Sequence, residues 1–490
     1  MEIIEKYETI SEGIKSVISI ERDQFKTRYI VSIPSTSKAT EILLTELKKR
    51  LILEVNLGAL EILDPNIMKT IKDRFKESSF KILENIMPGI PLETKDFLTG
   101  IIMHDMLGLG NIEFLLEDIN LEEVVIGSST EPVRVYHKKH GWLETNIKIE
   151  SETQILNYAN IIARRVGRQI TTLNPLLDAH LITGDRSNAV LYPISHKGNT
   201  ITIRKFARDP WTVTDLIKNN TCPAEIFALI WLSIQYEMNI LISGGTASGK
   251  TSFLNVIMPF IPPNHRIISI EDTRELQLPK FLYWAPLTVR PPNSEGKGEV
   301  TMLDLLINSL RMRPDRIVMG EIRKEDQAEV LFEAMHTGHS VYATVHADSI
   351  SETIRRLTNP PVNVPANQLT SVNLNVVMFR DRRKGIRRVY QIGEYVVSED
   401  GKDVRPNILY RLKSSEDKIV QHSPSARLYD ELSVHTGMSQ QEILKDLKEK
   451  ENILNWMVKN NIRELDKVGA VINRYYTNPE DVFKKSITNH

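Results

Sequence analysis

Gly244-Gly-Thr-Ala-Ser-Gly-Lys-Thr251 fits the pattern G-x-x-x-x-G-K-[ST], a loop whose backbone N–H groups surround phosphate oxygens. The apolar segment Asn239-Ile-Leu-Ile-Ser243 precedes this loop, and Ser252-Phe-Leu-Asn-Val-Ile257 continues as an apolar helix start. A buried strand before the loop and a helix after it are the context in which this motif binds nucleotides. The stretch therefore predicts a nucleoside triphosphate site, and the context disfavours the alternative, a glycine-rich turn that binds nothing.

Each residue type in the loop has a physical role in such a site. Gly244 and Gly249 permit the turns and the close approach of the backbone to phosphate. Lys250 reaches the β- and γ-phosphates, and the Thr251 hydroxyl is a ligand for Mg²⁺. ATP and Mg²⁺ are therefore the expected cofactors. The expected nucleotide-binding residues of the loop are Gly244, Gly245, Thr246, Ala247, Ser248, Gly249, Lys250 and Thr251.

Apolar segments alternate with helical patterns from residue 224 onward, which is typical of a parallel α/β sheet. The predicted strands span residues 240–243, 267–270, 317–320, 341–345 and 376–379. We therefore predict an α/β fold with a nucleotide-binding domain over residues 224–400.

Two carboxylates follow the second predicted strand, in Ile268-Ser-Ile-Glu-Asp-Thr-Arg-Glu275. Glu271 and Asp272 then lie at the carboxyl end of a strand, the edge at which open α/β sheets bind ligands. A carboxylate there can orient or deprotonate the water that attacks the γ-phosphate. The alternative is a structural role as a helix cap or a turn residue.

The third predicted strand lies in Arg313-Pro-Asp-Arg-Ile-Val-Met-Gly-Glu-Ile-Arg323, a Walker B pattern with Glu321 in place of the usual Asp. Glu321 is expected to hold Mg²⁺ through water or to position the nucleophile. The residues alone do not separate the roles of the two glutamates, and Glu271 is our hypothesis for the base.

Two histidines flank the fourth predicted strand, in Thr337-Gly-His-Ser-Val-Tyr-Ala-Thr-Val-His346. His339 and His346 are interpreted as γ-phosphate sensors or subunit contacts, against the alternative of structurally satisfied histidines. Hydrolysis also benefits from cationic charge on the transferring phosphoryl group. The candidate cations are Arg186, Arg204, Arg290, Arg311 and Arg313, with a surface ion pair as the alternative for each.

Sequence patterns outside residues 224–400 indicate further domains. Pro88-Gly89 and Pro91 mark a boundary, so we expect an N-terminal recognition domain over residues 1–90 and a small α+β domain over residues 93–208. Residues 209–223, with Asp209-Pro-Trp211, are a predicted hinge. Residues 401–490 are a predicted helical extension; a DNA-binding helix-turn-helix at 430–462 is disfavoured because no basic recognition face is visible.

Composition narrows the function classes. Lys and Arg total 62 against 63 Asp and Glu, a net charge of −1 that counts against a nucleic-acid motor. A single cysteine, Cys222, excludes an internal disulfide framework and a Cys₄ zinc module. No apolar run approaches the ~20 residues of a spanning helix, and the N-terminus lacks the charged-then-apolar order of a signal peptide. We expect a cytoplasmic protein that acts at a membrane through its surface or a partner.

Four blocks in this order resemble the secretion and type IV pilus ATPase superfamily: SGGTASGKTS, IEDTREL, RPDRIVMGEIR and TGHSVYATVHA, spanning residues 243–347. NPLLDAHLITGDRSNAVLYP and ITIRKF are similar to that family's second N-terminal domain. The EDTREL form and Gly108-Leu-Gly-Asn-Ile-Glu-Phe-Leu-Leu116 most resemble the archaeal branch, which includes the archaellum motor ATPase and pilus-assembly relatives.

The resemblance implies a homo-hexameric ring of RecA-like domains with nucleotide held between the two domains of each subunit, where Arg186 and Arg204 are expected to bind. It implies a position at the inner face of the membrane, where domain rotation on ATP turnover pushes on a polytopic platform protein to add filament subunits. The chain has neither the CxxC zinc module of bacterial extension ATPases nor the AIRNLI-type segment of retraction ATPases, so assembly is favoured. The alternative is a RecA-type nucleic-acid translocase or a conjugation-like DNA-transfer ATPase; no nucleic acid is expected as partner.

Overall fold

The structure is a computed structural model that describes residues 2–34, 36–54, 65–181, 184–206, 209–292, 296–398, 401 and 403–488. The chain divides into two compact units, Met1–Arg208 and Asp209–His490. The predicted fold class is confirmed, because strands and helices mix in both units and the second unit contains the RecA-like sheet described below.

The first unit is built on a nine-stranded sheet with the order β1-β2-β3-β6-β5-β4-β9-β8-β7. Only β3 and β6 pair in parallel; the other neighbours are antiparallel. Its strands are β1 (Glu2–Ser11), β2 (Ile14–Arg22), β3 (Thr27–Ser32), β4 (Leu121–Ile126), β5 (Arg134–His137), β6 (Gly141–Thr145), β7 (Leu176–His180), β8 (Arg186–Val190) and β9 (Thr200–Arg204).

Five helices accompany this sheet: α1 (Lys38–Glu54), α2 (Pro65–Ile86), α3 (Leu92–Leu107), α4 (Ile112–Glu117) and α5 (Glu152–Arg165). Helices α1, α2 and α3 share a small core that includes Leu47, Phe75 and Ile102. The proline-rich break at residues 88–91 ends α2, as its composition predicts. It does not divide the sheet, because β3 from the predicted N-terminal domain pairs with β6 from the predicted second domain.

The second unit contains another nine-stranded sheet, with the order β12-β11-β13-β14-β10-β15-β16-β17-β18. Its first six strands are parallel and the last three are antiparallel additions. The strands are β10 (Ile240–Gly244), β11 (Arg266–Glu271), β12 (Tyr283–Thr288), β13 (Arg316–Met319), β14 (Ser340–Val345), β15 (Leu374–Asp381), β16 (Ile386–Val397), β17 (Val404–Lys413) and β18 (Lys418–Gln421).

Strand β10 lies inside the parallel part of the sheet, between β14 and β15. All five of its residues are buried, since apolar clusters cover both faces of the sheet. A parallel strand covered on both faces reads as a continuous apolar run, which explains why Ile240, Leu241 and Ile242 follow one another. The carboxyl ends of the parallel strands therefore meet at one edge, where the loop begins.

Ten helices of the described residues belong to the second unit: α6 (Val213–Lys218), α7 (Ala224–Gln235), α8 (Lys250–Ile257), α9 (Met302–Leu310), α10 (Glu325–His336), α11 (Ile350–Thr358), α12 (Leu428–Thr436), α13 (Gln440–Lys459), α14 (Leu465–Thr477) and α15 (Pro479–Thr488). Within the described part of the chain, no helix is both long and apolar enough to span a bilayer.

One predicted boundary in this unit needs correction. The helical extension expected from residue 401 begins at α12, because β17 and β18 first continue the sheet by antiparallel pairing. The predicted hinge at 209–223 contains helix α6, and Arg463 donates to the carboxylates of Asp209 and Asp215 at 2.6 and 2.9 Å. This segment therefore packs within the second unit, and rotation about it stays a prediction.

Candidate functional site

The phosphate loop runs from the end of β10 to the start of α8, as the motif predicts. Its backbone takes positive φ angles at Gly244 (151°), Ala247 (58°) and Gly249 (96°). A Cβ on Gly244 would lie 2.5 Å from the carbonyl oxygen of Met378, which is backbone that cannot rotate away. Only glycine therefore fits at Gly244, where the loop leaves the sheet and passes beside β15.

Lys250 folds back over the loop. Its Nζ donates to the carbonyl oxygens of Gly244 at 2.8 Å and Gly245 at 3.1 Å. Burial lowers the pKa of Lys250, while the nearby charges of Glu321 and Asp348 oppose that shift. The structure thus places the loop cation in the electrostatic field of two carboxylates from neighbouring strand ends.

The loop also contains a buried polar group, the Ser248 hydroxyl. Ser248 is 2% exposed, and its Oγ has no hydrogen-bond partner within the described part of the chain. A buried hydroxyl without a partner costs free energy that a bound phosphate oxygen would recover. Thr251 is half-buried at the second position of α8, where its hydroxyl belongs to the first turn of the helix. This arrangement fits a nucleotide.

Glu271 ends β11 and is 3% exposed. Its Oε1 accepts the backbone N–H groups of Glu275 and Leu276 at 2.9 and 3.0 Å, whereas Oε2 has no hydrogen-bond partner among the residues that the structure describes. Burial raises the pKa of Glu271 to about 7, and the two backbone hydrogen bonds partly oppose that rise. The structural role considered from the sequence is therefore present, since one oxygen of Glu271 holds a turn; its role as the base stays a prediction.

Glu321 follows β13 and is engaged by an arginine. The Arg323 guanidinium donates to Glu321 Oε2 at 2.8 Å and to Asp272 Oδ2 at 2.5 Å. The ends of β11 and β13 are therefore joined by a carboxylate–arginine–carboxylate cluster. The sequence analysis assigned no role to Arg323. The available signal was its position at the end of the Walker B stretch, two residues after Glu321.

The two histidines lie at opposite ends of β14. His346 Nε2 is 3.1 Å from the Thr246 hydroxyl of the loop. His339 precedes a six-residue strand, which is ~20 Å long, and its Nδ1 contacts the Thr337 hydroxyl and the Ala334 carbonyl at 3.2 and 3.3 Å. The structure therefore brings His346 to the loop and leaves His339 in a locally satisfied position at the far end of the strand.

Asp348 is a loop neighbour that we did not select from the sequence. A Cβ on Gly245 would lie 2.6 Å from Asp348 Oδ1, so this carboxylate packs directly on the glycine. The available signal in the sequence was an acid two residues after His346. That acid indicates a contact with the loop only when β14 is known to lie next to β10.

The predicted arginines have separate surroundings. Arg290 follows β12, and its Nε donates to the Gly298 carbonyl at 2.6 Å, within its own connecting segment. In the first unit, Arg186 and Arg204 are direct cross-strand partners on β8 and β9. Arg186 also makes a two-pronged contact with Asp178 at 3.2 and 2.8 Å. A nucleotide-binding role for Arg186, Arg204 and Arg290 stays a prediction.

Comparison with known proteins identifies the family. The profile of the family described as Type II/IV secretion system protein matches residues 148–399. The chain belongs to this family. It is similar to the uncharacterized protein MJ0900 of Methanocaldococcus jannaschii, with 36% identity over 83% of this chain and 74% of the relative.

Two further similarities are with type IV secretion proteins. The type IV secretion system protein PtlH of Bordetella pertussis is 29% identical, over 51% of this chain and 83% of the relative. The solved structure of the VirB11 ATPase from the Brucella suis type IV secretion system, in complex with sulphate, is 25% identical. It matches with a TM-score of 0.30, covering 57% of this chain and 94% of that one. The match to the family profile confirms the predicted superfamily.

Proposed function

We propose that this chain is a Mg²⁺-dependent ATPase that powers assembly of a type IV pilus-like or archaellum filament through a membrane platform protein. The observation that carries the ATPase proposal is the position of Lys250, in the phosphate loop and within the field of Glu321 and Asp348. Membership of the Type II/IV secretion system protein family supports the link to a secretion or filament machine.

The residues at this edge of the sheet suit phosphoryl transfer to water. Loop N–H groups and Lys250 bind the phosphates. Glu271 is a suitable general base, because a pKa of about 7 leaves it able to accept a proton at neutral pH and its Oε2 has no protein partner. His346, in contact with Thr246, is positioned to respond when the loop is filled.

The residues also fit Mg²⁺, which prefers oxygen ligands and keeps several of its waters. Thr251 offers a hydroxyl, and the carboxylates of Glu321 and Asp272 lie on either side of one arginine, Arg323. In this proposal Thr251 and Glu321 hold the ion, directly or through water. When bound, the ion would supply positive charge to the phosphates.

The proposed motor is a homo-hexamer at the inner face of the membrane, as in the superfamily that the chain resembles. Domain rotation on ATP turnover would push on the platform protein to add filament subunits. The EDTREL block resembles the archaeal branch of the superfamily, and the similarity to the Methanocaldococcus jannaschii protein agrees with that branch.

Replacing Glu321 with Gln tests the hydrolytic part of the proposal. We expect ATP binding to persist, because the loop and Lys250 are intact, and turnover to fall by about 100-fold or more. Glu329→Gln is the matched control, since Glu329 is exposed on α10. Turnover in Glu321→Gln equal to that of the control would exclude a role for Glu321 in hydrolysis.

Affinity capture of the Lys250→Ala protein from native membranes tests the mechanical part. A polytopic membrane protein and filament subunits are the expected partners. Capture of nucleic-acid machinery, together with stimulation of wild-type turnover by polynucleotide, would replace the filament role with the DNA-transfer alternative.

A further inference from the structure

The hairpin between β15 and β16 is unusually basic. Between residues 380 and 388 its cations are Arg380, Arg382, Arg383, Lys384, Arg387 and Arg388. The single acid, Asp381, accepts the backbone N–H groups of Arg383 and Lys384 at 2.9 and 3.1 Å, which fixes the turn. None of these cations belongs to a motif described above.

Two neighbouring arginines of this hairpin differ in what they contact. Arg388 is largely buried and binds Asp417 through both Nε and Nη2, at 2.8 and 2.7 Å. Its role is structural. Arg387 is exposed, and among the described residues no carboxylate lies within ion-pair distance of its guanidinium. Its charge is therefore available to a ligand.

Arg387 turns toward the phosphate loop. Its Nε donates to the carbonyl oxygen of Ala247 at 3.2 Å, and its Cδ lies 3.2 Å from the position of a Cβ on Gly249. The side chain thus lies along the last residues of the loop, beside the start of α8. Strand β15 fixes this approach, since it pairs with β10 and the Met378 carbonyl packs on Gly244.

The two cations on the loop occupy different parts of it. Lys250 Nζ binds the carbonyls of Gly244 and Gly245, at the strand end, whereas Arg387 binds the carbonyl of Ala247, near the helix end. Each carbonyl carries only a partial charge. A phosphate oxygen carries more, and a charge-assisted hydrogen bond to it is about twice as strong as a neutral one. Both cations would therefore exchange a loop carbonyl for a bound phosphate.

We propose that Arg387 is a second phosphate-binding cation of this site and contacts the phosphates nearer the nucleoside, which ADP and ATP share. Lys250 serves the terminal phosphates, as its motif indicates. This inference rests on the proposed nucleotide-binding function and adds a residue outside the family motifs to it. Because ADP and ATP share these phosphates and the contact is made already in the bound ground state, Arg387 contributes mainly to binding.

Arg387→Ala tests the inference by nucleotide titration. We expect the Kd for ADP and for a non-hydrolysable ATP analogue to rise by the same factor, roughly tenfold, the loss of one charge-assisted hydrogen bond. In turnover, KM should rise by a similar factor while kcat stays within about twofold. Arg387→Lys should recover part of the affinity, since it keeps the charge and loses the planar donors.

Arg383→Ala is the matched control: it removes an exposed cation from the same turn without touching the loop, so its nucleotide affinities should equal those of the wild type. Equal affinities for the wild type and Arg387→Ala would overturn the inference, as would a loss confined to the ATP analogue or a fall in kcat at unchanged KM. Failure of the wild type to bind any nucleotide would instead overturn the proposed function itself.

Discussion

At the scale of single residues, Glu271 has an environment unlike that of an exposed carboxylate. It is almost fully buried at a strand end, with one oxygen held by two N–H groups and the other without a partner. Burial raises its pKa to about 7. A base must be ionised to accept a proton, so its activity should increase as the pH rises through that value.

The pH dependence of ATP turnover measures this directly. We expect kcat/KM, which reports the free enzyme, to rise with pH between about 6 and 8 with a midpoint near 7. Glu271→Gln should reduce the rate by about 100-fold or more and remove this titration, while Glu329→Gln keeps the wild-type profile. A Glu271→Gln protein with the wild-type rate and midpoint would show that Glu271 only holds the turn.

The site residues show what sequence can and cannot supply at this scale. The loop was predictable because its chemistry lies in eight consecutive residues. Asp348 was not, because it follows β14, a strand that lies next to β10 in space and is far away in sequence. Arg387 was not, because it lies on β16, one strand beyond β15, and its partner Ala247 is 140 residues away in sequence. His339 and His346 looked equivalent in the motif, yet they lie at opposite ends of β14, and only His346 is at the end where the loop begins.

At the scale of elements, buried polar contacts hold the C-terminal helices to the sheet domain. Lys450 on α13 is fully buried, and its Nζ donates to Asp446 at 2.5 Å and to Tyr475 on α14 at 3.2 Å. The same ammonium lies 5.6 Å from the ring centre of Trp231 on α7. Three helices thus share one buried cation, whose partners compensate the loss of water.

Removing only the acid should cost more than removing the lysine. Asp446→Asn leaves a buried ammonium without its counter-charge, so we expect a loss of about 3 kcal/mol in the free energy of unfolding. Lys450→Met should cost less, because Asp446 keeps the Tyr475 donor and lies closer to solvent. Denaturant unfolding of both variants and the double variant measures the coupling; strictly additive losses would contradict it.

The elements also show where pattern reading fails. Five of the six parallel strands were predictable as continuous apolar runs, because both of their faces are covered. The sixth, β12, was missed, because it has no buried residue. Strands β17 and β18 were missed: β17 has only two buried residues and β18 has none, so their sequences resemble charged helix or loop. Their pairing to β16 decides their structure, and pairing partners are not visible in a local window.

At the scale of the whole molecule, the chain forms two compact units, each with its own nine-stranded sheet. The first 90 residues looked separable from the next hundred because a proline-rich segment divides them. The parallel pairing of β3 with β6 joins them, and such long-range pairing leaves no mark on composition. The hexamer, the platform protein and the filament remain proposals that rest on the family.

The loop from Gly244 to Thr251 is proposed to bind the ATP that this chain hydrolyses. Phosphate release by the purified full chain tests this most directly. The wild type should release phosphate from ATP in the presence of Mg²⁺. Lys250→Ala should fall to background while its melting temperature stays close to that of the wild type, and the exposed control Lys218→Ala should retain full activity. Undiminished phosphate release by Lys250→Ala would contradict the claim.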